Sequence, residues 1–156
     1  MATTRIGWHV HAPRSAVYRL LVDAKSVQKW QVPTGMSSEV HEFEAHEGGR
    51  FRITLTYDDP TGTGKTTAQS DTHHGHFVTL VPDEQVVQVV EFDSDDPTMG
   101  GEMIIALTLT DAANGGTDIV ALHENLPAGV DPELNELGWR LSLAKLAALA
   151  ETGRLP

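Results

Sequence analysis

Hydrophobic and polar positions alternate with a period of two at the start of the chain: Ile6, Trp8 and Val10 fall on one side, Arg5, Gly7 and His9 on the other. This pattern predicts a strand over 3–10. Ala12-Pro13-Arg14-Ser15 stops it, and Ala16, Val17, Leu20 and Leu21 then recur at helical spacing. A second short helix is expected at 26–30. It must end before Pro33, because the residue preceding a proline is pushed out of the α region. From 37 to 124 the texture changes to strands separated by turn residues. Phe51, Ile53, Leu55 and Tyr57 alternate with Arg52, Thr54 and Thr56, and Glu47-Gly48-Gly49 joins this run to 40–45 as a hairpin. Further strands are expected at about 68–80, at 85–92, at 103–109 and at 117–124. Short connections between them argue for an antiparallel meander rather than βαβ units.

The last segment has a different period. Asp131 is placed to cap a helix, Pro132 and Glu133 suit its first turn, and the helical pattern runs to about Thr152 before Gly153. Such a helix is roughly 30 Å long at 1.5 Å per residue. Leu134, Leu137, Leu141, Lys145 and Ala148 form one lengthwise stripe, broadened by Gly138, Ala144 and Leu149. Trp139, Leu143, Leu146 and Ala150 lie partly to another side. A helix this apolar must lie against something, and the sheet face is the large surface available. The expected fold is α+β, in the order β-αα-β6-α, within a single domain spanning 1–156.

Composition narrows the chemistry. The 156 residues contain no cysteine, which excludes disulfides, thiolate zinc sites, iron–sulfur clusters and a cysteine nucleophile. No apolar run is long enough for membrane insertion, and a cytoplasmic protein is expected. The net charge of −11 is unevenly spread: residues 1–65 carry eight Lys/Arg against seven Asp/Glu, whereas 66–139 contain fourteen Asp/Glu and no Lys or Arg. Such a stretch has little to offer a phosphate backbone, so no nucleic-acid partner is expected. With nine Phe, Trp and Tyr residues and a long helix rich in alanine, a ligand-sized pocket between sheet and helix is the expectation, with a closed core as the alternative.

The motifs that invite a catalytic reading fail on spacing. Gly62-Thr63-Gly64-Lys65-Thr66 ends like a phosphate-binding loop, but Asp59 stands where the first glycine is required and no helix pattern follows. A polar hairpin tip explains the same residues. His41 to His46 is one residue too long for the helical HExxH zinc motif and lies on an expected strand. His74 and His76 share one strand face, with Asp71 the nearest acidic candidate, but no third ligand is defined. His123 and Glu124 point to opposite faces of a strand, and no GxSxG elbow is present. Neither a metal nor a cofactor is expected, and no residue is assigned as catalytic.

Ala12-Pro13-Arg14-Ser15-Ala16-Val17-Tyr18-Arg19-Leu20-Leu21-Val22-Asp23, Trp30-Gln31-Val32-Pro33-Thr34-Gly35 and Gly48-Gly49-Arg50-Phe51-Arg52 together resemble the START-like helix-grip superfamily (SRPBCC). The similar branch is the one named after an activator of the heat-shock-protein-90 ATPase. Gly75-His76-Phe77, Leu80-Val81-Pro82, Gly115-Gly116-Thr117 and Gly138-Trp139 continue the pattern over about residues 5–150. The resemblance implies a helix-grip fold, a curved antiparallel sheet wrapped around the long C-terminal helix, often enclosing a hydrophobic cavity. ATPase stimulation is not carried over, because the eukaryotic namesake uses a further chaperone-binding domain. The expected function is binding of a small hydrophobic or amphipathic molecule between sheet and helix. Tyr18, Trp30, His41, Tyr57, His76 and His123 are the candidates for hydrogen bonds or aromatic contacts, and Leu137 and Leu141 for the helical wall. For Trp30 and Trp139, plain helix-to-sheet packing is the competing reading. A polyketide cyclase or aromatase-like enzyme, and a protein-interaction or stress-response regulatory module, are the alternatives. A homodimer or a protein partner is also in view, because several strands are apolar on both sides.

Overall fold

The computed structural model describes residues 2–58 and 70–156. Among the described residues seven strands form one antiparallel sheet in the order β1-β7-β6-β5-β4-β3-β2. They are β1 (Ala2–Val10), β2 (Met36–Phe43), β3 (Arg50–Tyr57), β4 (Ser70–Val81), β5 (Gln85–Phe92), β6 (Met103–Asp111) and β7 (Thr117–Leu126). Helices α1 (Arg14–Leu21) and α2 (Ala24–Trp30) carry the chain from β1 at one edge to β2 at the other. The long helix α3 (Pro132–Thr152) follows β7. The expected order β-αα-β6-α is therefore observed. The phosphate-loop look-alike from Asp59 onward, and the expected strand start at Ala68, lie outside the described residues.

Period-two patterning decides which face of the sheet is covered. Ile6 and Val10 on β1, Phe51 and Ile53 on β3, Val86 and Val90 on β5, and alternate residues from Met103 to Leu109 on β6 are all buried. They face the helices. Several strands run past the expected bounds, β2, β6 and β7 by two residues or more, while β2 ends at Phe43, short of the expected 45. β2 starts at Met36, because Ser37, Ser38 and Glu39 can sit on an edge strand, and β7 runs on to Leu126, with Asn125 at φ 59° turning the chain.

The helix ends follow their chemistry. The Asp131 carboxylate accepts from the Glu133 N–H at 2.9 Å, and Gly153 closes α3 at φ 76°, its N–H bonding the Leu149 carbonyl at 2.9 Å. Helix α2 is capped by Asp23, which accepts from the backbone and hydroxyl of Ser26 at 3.0 and 2.6 Å; both bonds hold its pKa below the usual carboxylate value. Backbone approach of α3 is to β1, α1 and α2.

The two ends of the sheet are filled differently. At one end Phe43, Phe51 and Phe77 form an aromatic cluster with centroid separations of 5.4 Å, and Val17 of α1 and Leu143 and Leu146 of α3 are buried with them in a common core. At the other end, α3 begins with leucines that are not covered: Leu134 is 66% exposed and Leu137 53%.

Candidate functional site

Between the N-terminal half of α3 and strands β3 to β6 lies a cavity of about 550 Å³. Its sheet wall is built from inward-facing positions, including Leu55 and Tyr57 of β3, Val90 and Phe92 of β5, and Met103 and Ile105 of β6. Leu134, Leu137 and Leu141 form the helical wall, one turn apart, with Gly138 and Trp139 between them. The strand separation of about 4.8 Å spreads these side chains over a surface that one helix edge cannot cover. The mouth is framed by the loop after β5 and the loop before α3. Gly129 joins the two, its N–H bonding the Thr98 carbonyl at 2.7 Å. A Cβ at this position would stand 2.6 Å from Thr98 Oγ1 and 3.1 Å from the Thr98 carbonyl oxygen, so any larger residue would have to displace the Thr98 side chain.

Polar groups punctuate this apolar lining. Asp71 and His73, two residues apart on β4, both face inward, and Asn135 and Ser142 contribute from α3. Asp71 is therefore on the opposite face of β4 from His74 and His76, and cannot complete a metal site with them. On the outer face His74 instead meets Asp93 through Nδ1 and Glu91 through Nε2 at 3.3 Å, while Arg52 also reaches Asp93. Among the described residues no group of three or more His, Asp or Glu is placed to hold a metal ion.

Behind the cavity wall sits His123, fully buried beneath Trp139, whose ring centroid is 4.7 Å away. Asn135 Nδ2 donates to Thr4 Oγ1 at 3.0 Å, and Thr4 Oγ1 is in turn hydrogen-bonded to His123 Nδ1 at 3.0 Å. The other ring nitrogen, Nε2, is buried and has no hydrogen-bond partner among the described residues. Burial pushes the pKa of His123 down to about 4, so the ring is neutral at pH 7.

Of the residues singled out from sequence, Tyr57, Leu137 and Leu141 line the cavity. The others lie elsewhere, for identifiable reasons. Trp30 is 1% exposed in the core, its indole N–H donating to the Leu20 carbonyl at 2.9 Å and its ring edge-on to Trp139 at 6.2 Å. It is Trp139, one layer out, that reaches the cavity. Tyr18 is half-buried on α1 at the far end of the sheet. Burial, then Asp83 and Glu47, raise its phenol pKa. His41 is exposed on β2, its Nε2 2.8 Å from Thr54 Oγ1, and His76 is exposed on the outer face of β4. His123 is one layer behind the lining, screened by Asn135 and Trp139. Asp71, His73, Asn135 and Ser142 were not singled out as ligand contacts. Counting back in twos from Phe77 places 73 and 71 on its face, but nothing in the spacing says that the helix stands away from them.

A curved antiparallel sheet gripping a C-terminal helix over an internal cavity defines the START-like class. The chain belongs to the family described as activator of Hsp90 ATPase homolog 1-like protein, whose model matches residues 11–151. The solved structure of protein CV1439 from Chromobacterium violaceum is 30% identical, with a TM-score of 0.84 over 97% of this chain and 99% of that one. The AHSA1 protein of Silicibacter pomeroyi is similar in fold, at 19% identity and a TM-score of 0.78, covering 98% of this chain and all of that one. The Aha1 dimer of Colwellia psychrerythraea, at 18% identity, has a TM-score of 0.65 over 99% of both chains. No curated protein matches this chain. Among the described residues no helix is long and apolar enough to cross a membrane.

Proposed function

We propose that the protein binds a small hydrophobic or amphipathic molecule in the cavity between α3 and β3–β6. The observation that carries this reading is the pair of uncovered leucines, Leu134 and Leu137, on the rim of a 550 Å³ apolar space. Leaving such part-exposed side chains in water forgoes about 1–2 kcal/mol each, part of which a bound apolar group would recover. The volume lies within the roughly 300–1,000 Å³ range of small-molecule sites. Asp71, His73, Asn135 and Ser142 supply a few polar contacts for orienting a head group. Titration with the neutral fluorescent probe N-phenyl-1-naphthylamine tests the reading: saturable one-to-one binding is expected, and its absence would refute it. Native mass spectrometry of freshly isolated protein would reveal a molecule retained in the site.

A second reading concerns assembly and rests on the outer face. There Val87 and Val89 of β5, Ile104 and Ala106 of β6, and Val120 and Leu122 of β7 stand beside one another by register, each only half-buried. A second copy of the chain is the proposed occupant of this strip. The Colwellia relative is described as a dimer. A native mass of twice 16.9 kDa is expected, reduced to the monomer by Ala106→Glu; a monomeric wild type refutes this assignment.

A further inference from the structure

Sulfur is unevenly distributed in this molecule. The chain has no cysteine, and all three methionines after Met1 line the cavity between α3 and the sheet. They stand on different sides of it. Met36 begins β2, beside Tyr57 by register; Met103 lies on β6, beside Val90; and Met99 belongs to the loop between β5 and β6 that frames the mouth. The packed end of the sheet is filled instead by phenylalanine and branched side chains. Unbranched thioethers adapt to what lies beside them, which suits a wall whose neighbour changes when the space is filled or emptied.

Access differs among the three. Met103 is 4% exposed, whereas Met36 and Met99 are only half-buried and meet solvent. Met99 also sits at the joint of the two mouth loops. Its methyl carbon would be 3.0 Å from a Cβ added to Gly129, whose N–H bonds the Thr98 carbonyl. In a chain without thiols, part-exposed thioethers are the sulfur groups that a peroxide reaches first.

Resting on the ligand-binding reading above, we propose that Met36 and Met99 are oxidation sites through which hydroperoxides switch the cavity from retaining its ligand to releasing it. A sulfur lone pair attacks the terminal oxygen of the hydroperoxide, and the S–O bond forms as the O–O bond breaks. The departing alkoxide or hydroxide takes the proton of the transferred OH. The thioether is thereby oxidised to a sulfoxide, and the hydroperoxide is reduced to an alcohol, or to water where it is hydrogen peroxide. The sulfoxide brings a polar S–O group into an apolar lining, and covering that group with an apolar ligand costs the hydration it would lose. Ligand and oxidant therefore oppose each other: a bound molecule shields the thioethers, and oxidation expels the molecule.

The test uses the full-length protein, treated with millimolar hydrogen peroxide and quenched with catalase. Peptide mass spectrometry is expected to find one added oxygen on Met36 and Met99 before Met103, and saturating N-phenyl-1-naphthylamine should slow both early reactions. Titration after treatment should show probe affinity weakened about tenfold, with circular dichroism still that of the folded protein. Methionine sulfoxide reductases, added with a thiol reductant, should restore the affinity. The double variant Met36→Leu, Met99→Leu retains Met1 and Met103, and its affinity should be the same before and after peroxide. Unchanged wild-type affinity after both sites are oxidised overturns the switch while leaving the cavity reading intact. So does an equal loss in the double variant, a loss the reductases do not reverse, or unfolding in step with oxidation. Failure of the untreated wild type to bind the probe overturns both readings.

Discussion

The two halves of α3 carry three leucines each and have opposite fates. In the C-terminal half Leu143, Leu146 and Ala147 are buried against the sheet and α1, whereas in the N-terminal half Leu134 and Leu137 stand in solvent at the edge of a cavity. The leucine count does not separate them; what lies opposite does. The packed half faces a core that includes the Phe43, Phe51 and Phe77 cluster and α1, while the open half faces Leu55, Tyr57, Val90 and Met103, which leave the space unfilled. One half of the helix is thereby committed to stability and the other left for a ligand. Lys145, within the packed half, ties the helix to the turn after α2, its Nζ donating to the Val32 carbonyl at 2.8 Å.

The sharpest way to break this comparison is in the packed region. Trp30→Ala should destabilise the protein by roughly 3–5 kcal/mol, since it removes a side chain 1% exposed and orphans the Leu20 carbonyl. Urea unfolding with a change below about 0.5 kcal/mol would contradict the packing described for it. Leu146→Ala, at the closed half of α3, should cost about 2–5 kcal/mol by the same cavity argument. Both values should be obtained at unchanged m-value.

His123 sharpens the comparison by pH. Its folded pKa of about 4 lies below the ordinary 6.5, so the unfolded chain takes up a proton there that the folded one refuses. Above about pH 6.5 neither state binds it and the full stability is present. Between pH 6.5 and 4 stability falls, by about 3 kcal/mol at the lower limit, and below that this contribution stops changing. Unfolding measured from pH 8 to 4 should show this slope in wild type. It should be absent in His123→Gln, which does not titrate; equal slopes would contradict the assignment. The smallest effect belongs to the open half: Leu137→Ala should change stability by no more than about 0.5 kcal/mol. The same variant should weaken probe binding about threefold through lost apolar contact.

The sequence patterning carried most of the architecture. Strict alternation from Phe51 to Tyr57 and from Met103 to Leu109 set the faces of β3 and β6, and Asp131 and Gly153 marked both ends of α3. The site was less legible, because it depends on distances between elements rather than on periods within one. Helical spacing separated the Leu134–Leu137–Leu141 stripe from the Trp139–Leu143–Leu146 stripe without saying which one packs. Likewise the Thr4–His123 bond joins residues 119 positions apart, and no local pattern announces it. Asp71 was grouped with His74 and His76 by proximity in sequence, whereas strand parity assigns it to the opposite face.

The central claim is that the open half of α3 walls a ligand cavity, and Leu141→Trp tests it most directly. Leu141 lies one turn beyond Leu137 on the cavity side of the helix, so an indole there should occupy the space rather than strain a packed core. Probe titration and urea unfolding run on both proteins should give saturable binding in wild type and at least tenfold weaker binding in the variant, with stability within about 1 kcal/mol. Equal saturable affinity in a folded variant would remove Leu141 from the wall. A loss of roughly 1–3 kcal/mol with no saturable binding by either protein would mean that this end of the sheet is a closed core, contrary to the account.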